Sequence, residues 1–176
     1  MKRTLVASVV AVGLSVFAFA ANASGESTIS GGYAQSHVKF DGEKLDGNPK
    51  GKGFNLKYRY ELDNNFGVIS SFTYTHKGFD GFDVNYYSLM AGPAYRFNEY
   101  VSIYGMVGAA RGELEIPVFN GSYTQGKTSV GYGLGLQFNP MPNWTIDTSY
   151  EYSKFGDGKL GDIKVGTWVV GVGYRF

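Results

Sequence analysis

The sequence contains no cysteine, two tryptophans and five prolines among its 176 residues. Without cysteine it can form neither a disulfide framework nor a thiolate metal site, and it lacks the lipid-modified cysteine of a lipoprotein. Its 16 basic and 15 acidic residues nearly balance, which argues against nucleic acid as a partner. What it has instead is 26 glycines, 14 tyrosines and 13 phenylalanines. Soluble β-sandwiches and membrane β-barrels both have such a composition, so the order of the residues must distinguish them.

The amino terminus has the residue order of a secretory signal peptide. Lys2 and Arg3 precede residues 5–20, which carry no charge and are mostly apolar, and small residues follow in the A-x-A pattern at 21–23. The alternative is a transmembrane helix, which would need a longer apolar stretch of roughly 20 residues. We predict cleavage after residue 23 and an exported protein of residues 24–176 that forms one domain.

Eight segments alternate between apolar and polar residues with a period of two, which is typical of β-strands. In one of them Tyr58 and Tyr60 alternate with Lys57 and Arg59. The predicted strands cover residues 27–37, 53–62, 66–76, 85–97, 101–110, 128–138, 144–153 and 163–176. The apolar face carries no charge in any of the eight segments, whereas the other face carries cations and carboxylates.

Aromatic residues favour a membrane barrel over a soluble sandwich. They gather at one kind of strand end, as in the girdle at a membrane interface: Tyr58, Tyr60, Tyr95, Phe97, Phe138, Trp144, Tyr174 and Phe176. Short connections at 63–65, 98–100 and 139–143 alternate with longer ones at about 38–52, 77–84, 111–127 and 154–162. Outer-membrane barrels have short periplasmic turns and longer extracellular loops in this alternation. We therefore predict an all-β fold, an eight-stranded antiparallel transmembrane β-barrel in the bacterial outer membrane.

The polar strand faces would then line the lumen, which in an eight-stranded barrel is just wide enough for side chains. The charged members of this set are Lys57, Arg59, Glu61, Arg96, Asp147, Glu151 and Arg175. Buried charges must be paired, so we predict that they fill the lumen as a network of salt bridges and hydrogen bonds. A narrow pore is the alternative, although long lysine, arginine and tyrosine side chains would block it.

An outer-membrane enzyme is a further alternative, for which His76 and His37 are the candidates. His76 has possible partners of a Ser-His-Asp arrangement nearby in sequence or on adjoining strands: Asp80, Asp83, Ser71 and Ser88. The simpler interpretation places both histidines at the exposed bases of loops. We expect no enzymatic activity, no metal and no cofactor.

Basic residues recur near the predicted junctions of strands and loops. We call this set the basic collar: Lys39, Lys52, Lys77, Arg111, Lys127, Lys154 and Lys164. Lipopolysaccharide phosphates lie at that depth, so we expect the basic collar to pair with them. Ordinary solvated loop charge is the alternative.

The predicted loops also carry apolar residues: Phe40, Phe79, Phe82, Ile116, Val118, Phe119, Tyr123, Phe155 and Leu160. Exposed apolar clusters often mark partner surfaces. The alternative is that these side chains pack one loop on another. The sixth and seventh strands are expected to rise above the bilayer and present backbone edges for β-strand addition.

Six motifs across the chain resemble the Ail/Lom/OmpX family of outer-membrane proteins, and most closely its Ail branch. They are GGYAQS (31–36), GFNLKYRYELD (53–63), GPAYR (92–96), SIYG (102–105), LQFNP (136–140) and VGTWVVGVGYRF (165–176). The resemblance covers nearly all of residues 24–176, with departures in the loops at 77–84 and 155–162.

The resemblance implies a surface protein for host-cell and extracellular-matrix adhesion, invasion and resistance to serum complement. Its implied partners are laminin, fibronectin and complement regulators, bound through the second and third loops at Phe79, Phe82, Ile116, Phe119 and Tyr123. The alternative is a housekeeping barrel that supports envelope integrity with no dedicated host ligand. In either case we expect a monomer whose terminal strand, ending on Phe176, is recognised by the barrel assembly machinery.

Overall fold

The computed structural model describes residues 25–40, 50–79, 82–156 and 162–176. The predicted signal peptide, Asp80 and Leu160 lie outside these residues. Within the described ranges, no helix has the length and apolar character needed to cross a membrane.

Eight antiparallel strands form a closed barrel in which each strand pairs with its neighbours in the chain. The strands are β1 (Ser27–Phe40), β2 (Lys50–Glu61), β3 (Phe66–Phe79), β4 (Phe82–Arg96), β5 (Val101–Val118), β6 (Gly121–Met141), β7 (Trp144–Gly156) and β8 (Asp162–Arg175). The predicted fold is confirmed.

The seam of the barrel lies between β1 and β8, the first and last strands. Their register runs from Thr28–Arg175 to Phe40–Ile163. At the short-turn end of the barrel, the Ser27 amide donates to the Phe176 carbonyl at 2.9 Å, and the Phe176 amide donates to the Ser27 carbonyl at 2.8 Å. This closure satisfies two strand edges that hydrocarbon would otherwise leave without partners.

The outer surface is apolar and much of the interior is polar, the reverse of a water-soluble protein. Leu134 and Val170 are 68% and 57% exposed on the outside, whereas Arg59 and Glu151 are 2% and 0% exposed inside. This arrangement agrees with the predicted alternation of faces, because successive residues of a strand point to opposite sides of the sheet.

The interior nevertheless contains two apolar clusters that the polar-lumen prediction did not include. One consists of Ile69, Met90, Ala94, Tyr104 and Met106. The other consists of Tyr86, Ala110, Phe155 and Val165, with Val38 packed against them. Packed apolar side chains therefore fill part of the lumen, alongside the charge pairs.

Phe155 was wrongly predicted to be an exposed loop residue. β7 continues to Gly156, so residue 155 faces inward on the same side as Ser153 and Glu151. Its ring is buried and meets the Tyr86 ring edge-on, with centroids 6.5 Å apart.

Two of the short turns are closed by side chains that accept hydrogen bonds from the backbone. Asp63 Oδ1 accepts from the amides of Asn65 at 2.8 Å and Phe66 at 2.7 Å. These bonds to the ionised form lower the pKa of Asp63. Asn98 Oδ1 accepts from the amides of Tyr100 and Val101 in the same way. Such local bonds are why Asp and Asn favour turns.

The long connections are shorter than predicted because the strands continue into them. The range 111–127 is strand except for Phe119 and Asn120, and β5 and β6 pair up to Val118–Gly121. Gly121 has a φ of +143°, which glycine adopts without steric cost at the end of the hairpin. The two arms of a hairpin satisfy each other's backbone hydrogen bonds whatever side chains they carry. These strand segments therefore form although apolar and polar residues alternate only weakly, and the sequence pattern did not predict them.

Aromatic side chains form the predicted girdle at the short-turn end. Tyr95 packs edge-on against Phe66 and Phe97, each with ring centroids 5.1 Å away, and Trp144 packs on Tyr174. Tyr58 departs from the prediction: its ring is 8% exposed, and its hydroxyl lies 2.9 Å from Ser27 Oγ.

A second aromatic belt, which the sequence analysis missed, lies nearer the opposite end. Its ring pairs include Phe54–Tyr74, Tyr74–Tyr87 and Tyr150–Trp168. Along β7, Trp144 and Tyr150 are roughly 20 Å apart at ordinary strand rise. Because barrel strands tilt by roughly 35–45°, the two belts differ in height by roughly 15 Å, which is less than the roughly 25 Å of the apolar band.

We predict that Gly135→Ala destabilises the barrel, because a Cβ atom at Gly135 would collide with the Tyr104 ring. Displacing that ring breaks its hydrogen bond to Asp147, and overpacking of this kind costs about 1–3 kcal/mol. The measurement is urea unfolding of the refolded barrel in detergent micelles, followed by tryptophan fluorescence.

Gly105→Ala is the matched control, because its Cβ would lie at an ordinary 3.6 Å from Leu134 Cδ2. Equal unfolding midpoints for the two variants would contradict the prediction.

Candidate functional site

The lumen contains a buried ion pair between Lys57 on β2 and Asp147 on β7. Both side chains are 1% exposed. The Tyr104 hydroxyl donates to Asp147 Oδ2 at 2.8 Å, and the Lys57 ammonium lies 5.9 Å from the centre of the Tyr104 ring. Asp147 thus has a cation and a hydroxyl donor, which offset the removal of its charge from water.

A second group of charges surrounds Glu61 near the short-turn end. Arg59 Nε lies 2.9 Å and Arg96 NH2 2.6 Å from Glu61 Oε1. Arg59 NH1 also donates to Gln137 Oε1 at 2.6 Å. One carboxylate therefore bridges cations from β2 and β4.

Glu26, which the sequence analysis missed, supplies a fourth carboxylate. It forms an ion pair with Arg175 on β8, and its Oε2 lies 3.7 Å from Arg96 NH1. Its backbone carbonyl accepts from the Glu61 amide at 2.9 Å. The signal was present in the sequence, since Glu26 continues the inward alternation of Thr28 and Ser30 by one step beyond the predicted strand.

Glu151 is fully buried and is held by hydroxyl groups. Thr73 and Ser88 donate to it at 2.8 Å and Ser71 at 3.2 Å. Asn55 donates to Ser71 and Thr73, so these hydroxyls belong to a wider network across β2, β3, β4 and β7. All seven charged residues of the predicted lumen set face the interior, and Glu151 differs from the other carboxylates in its neutral donors.

The two serines proposed for a Ser-His-Asp arrangement do not lie beside His76. Ser71 and Ser88 are buried in the lumen, where they donate to Glu151. His76 is exposed on the outer face of β3, and its Nδ1 lies 2.8 Å from Asn85 Oδ1. Strand alternation separates the serines from the histidine, because residues an odd number apart face opposite sides.

The hairpin of β5 and β6 rises above the other strands at the long-connection end. Pairing of β4 with β5 reaches Asp83–Glu115, whereas β5 and β6 pair as far as Val118–Gly121. On the other side, the β6–β7 ladder begins at Gly131–Ser153. From Val130 upward, β6 is therefore the edge of a protruding sheet.

This hairpin places three of the five predicted partner-binding residues together. Ile116 is opposite Tyr123 in the β5–β6 register, and Phe119 is fully exposed at the tip. Phe79 and Phe82 are opposite each other at the top of the neighbouring β3–β4 hairpin. The backbone thus brings all five positions to adjacent hairpins at one end of the barrel.

The basic collar is divided between two faces, contrary to a single ring facing the lipid. Five members lie on outward-facing positions: Lys39, Lys52, Arg111, Lys154 and Lys164. Lys77 shares the inner face of β3 with Thr73 and Thr75, and Lys127 is opposite Gly112, whose Cβ direction points toward the Phe155 ring. The period of two in strand direction causes this division.

Three outward lysines form a row across the seam. Lys164 on β8 is opposite both Lys39 on β1 and Lys154 on β7. The Lys154 ammonium pairs with Asp162 at 2.5 Å. Like charges side by side on neighbouring strands are unfavourable, so this row is a site where an anion would be stabilising.

Comparison with known proteins gives the same architecture and a consistent set of relatives. A family model described as the outer membrane protein beta-barrel domain matches residues 4–176. Attachment invasion locus protein of Yersinia enterocolitica is 56% identical, with 100% of both chains covered. Outer membrane protein X of Escherichia coli K12 is 46% identical over 92% of this chain and 93% of its own.

Among solved structures, the attachment invasion locus protein of Yersinia pestis, crystallised with the heparin analogue sucrose octasulfate, is 56% identical. It matches with a TM-score of 0.75 over 86% of this chain and 99% of its own. The protein is thus located in the bacterial outer membrane.

We predict that Lys57→Met destabilises the barrel by about 3–5 kcal/mol, because it leaves the buried Asp147 carboxylate without its cation. The double variant Lys57→Met/Asp147→Leu should recover most of that loss, since removal of both charges is nearly neutral or stabilising. Urea unfolding of the refolded barrel measures both. A double variant less stable than the single variant would refute this account of the ion pair.

Proposed function

This chain belongs to the family of outer-membrane β-barrel proteins that contains attachment invasion locus proteins and outer membrane protein X, and we propose that it attaches bacteria to host surfaces and protects them from serum complement. The names of its relatives support attachment and invasion as the role. The proposed partners are extracellular-matrix proteins such as laminin and fibronectin, together with complement regulators.

The observation that carries the proposal is the protruding hairpin of β5 and β6. Its strands are 18 and 21 residues long, whereas the others have 12 to 15. Ile116 and Val118 are 40% and 54% exposed, and Phe119 is fully exposed. Single apolar residues on a protein surface are ordinary. Several of them together on a raised tip form an apolar surface that a partner protein can cover.

The raised edge of β6 gives a second element of recognition. An extended segment of a partner protein that adds to a sheet edge gains main-chain hydrogen bonds, and side-chain pockets then select its sequence. A partner with an extended segment or an exposed strand edge suits this mode. We propose that the edge supplies affinity and that the apolar tip supplies selectivity.

The deciding experiment expresses the protein in a non-adherent, serum-sensitive bacterium. The variant replaces residues 113–126 by Asn-Gly, a favoured two-residue hairpin turn, so that Gly112 and Lys127, which are register partners, remain opposite each other. We expect the intact protein to raise binding to laminin, fibronectin or heparin-coated wells and survival in serum at least fivefold. The shortened variant should lose both gains at equal surface level.

Glu113→Gln, on the outer face of the same hairpin but away from its tip, is the matched control and should bind as the intact protein does. If the intact barrel gives no gain in binding or survival, the attachment proposal fails. The housekeeping role, in support of envelope integrity, would then be favoured.

A second proposed role concerns the outward lysines of the basic collar, which we propose hold lipopolysaccharide phosphates. The row of Lys39, Lys164 and Lys154 carries this proposal, because it stands on the same outward face as Trp168 and Tyr150 of the second aromatic belt. Aromatic belts mark the membrane border, where phosphate groups lie.

We expect the double variant Lys39→Glu/Lys164→Glu to weaken lipopolysaccharide binding at least fivefold in micelle titrations. Lys77→Glu/Lys127→Glu makes the same change in net charge on the inner face and should have a much smaller effect. Dephosphorylated lipopolysaccharide should bind equally to the wild type and the outward double variant. Equal weakening by the two double variants would show that diffuse charge, and not the row, is responsible.

A further inference from the structure

A groove crosses the lipid-facing surface between β4 and β5. Its volume is about 540 Å³, and it is a shallow, open groove, not an enclosed cavity. It is lined by Phe66, Pro93, Ala94, Tyr95, Ile103, Tyr104, Gly105 and Leu134, and its surface is almost entirely apolar.

Two residues create the groove. The β4–β5 register passes from Ala91–Val107 to Ala94–Tyr104, without pairing at the two intervening positions, which include Pro93 and Gly105. Proline has no amide hydrogen to donate to the ladder, and glycine has no side chain to cover the gap. A Cβ at Gly105 would meet Leu134 Cδ2 at 3.6 Å, so the space above this glycine is open enough for a side chain that the sequence does not supply.

The groove lies on the membrane-facing surface, close to the periplasmic interface. Its lower wall is formed by Phe66 and Tyr95, which belong to the girdle at the short-turn, periplasmic end. Its upper wall is formed by Leu134, 68% exposed on the apolar surface. The groove is thus continuous with the membrane-facing surface and runs from the periplasmic interface toward the middle of the bilayer.

We propose that this groove is a binding site for one acyl chain of a glycerophospholipid of the periplasmic leaflet. A hydrocarbon chain matches the apolar walls, whereas water or a polar ligand would leave its hydrogen bonds unmade there. The headgroup would lie level with the aromatic girdle, where amphipathic rings and lipid headgroups meet. The bound acyl chain makes dispersion contacts with the groove in the space that a larger side chain at Gly105 would otherwise fill.

The test is native mass spectrometry of barrels released from nanodiscs of phosphatidylethanolamine and phosphatidylglycerol. The wild type should retain one phospholipid under activation that strips the annular lipids. Gly105→Leu, which fills the groove, should reduce that retention at least fivefold. Val170→Leu adds bulk at an outward position on β8, away from the groove, and should retain lipid as the wild type does.

Pro93→Val is a second variant that fills the groove from β4 and restores a backbone donor, and it should also reduce retention. Paramagnetic relaxation from a phospholipid with a nitroxide on its acyl chain gives an independent readout. It should broaden the amide signals of Ile103 and Gly105 more than that of Val170. The proposal is overturned if the wild type retains no phospholipid, or if folded Gly105→Leu and Pro93→Val retain it unchanged.

Discussion

Closure of the sheet between the first and last strands is the constraint on which the rest of this molecule depends. Hydrocarbon offers no hydrogen bonds, so a spanning sheet must leave no edge inside the membrane. The bonds between Ser27 and Phe176 complete that requirement at the periplasmic end. Once the circle is closed, its width, the facing of every residue and the enclosed polar interior follow from the strand number and the period of two.

The enclosed interior explains why charges occur in a membrane-spanning sequence. Each carboxylate in the lumen is compensated, Asp147 by Lys57 and Tyr104, and Glu151 by three hydroxyls. The apolar cluster with Phe155 packs inside the same lumen near its outer end. The packed interior therefore supports the barrel strands. The hairpins at the extracellular end extend from these strands, and their residues are not needed to close the barrel.

The sequence was sufficient for the barrel because eight repeats of one alternation support each other. It was insufficient above the membrane, where the 111–127 segment is strand even though its faces differ little in polarity. Phe155 shows the same limit, since its inward direction depends on where β7 ends. Glu26 lay beyond the predicted start of β1. The lysine row required the strand register, because Lys39 and Lys164 are 125 positions apart and nothing local relates them.

The register of the raised hairpin has a consequence for how this surface can diversify. Residues of β5 and β6 are opposite in pairs, as with Ile116 and Tyr123, and above Glu115 they pair with no other described strand. Adding two residues to each arm would move the tip outward by roughly 7 Å while every side chain below kept its face. Adding one to each arm would exchange the inner and outer faces of the tip. Sequence variation can therefore lengthen this surface in even steps without disturbing the barrel that anchors it.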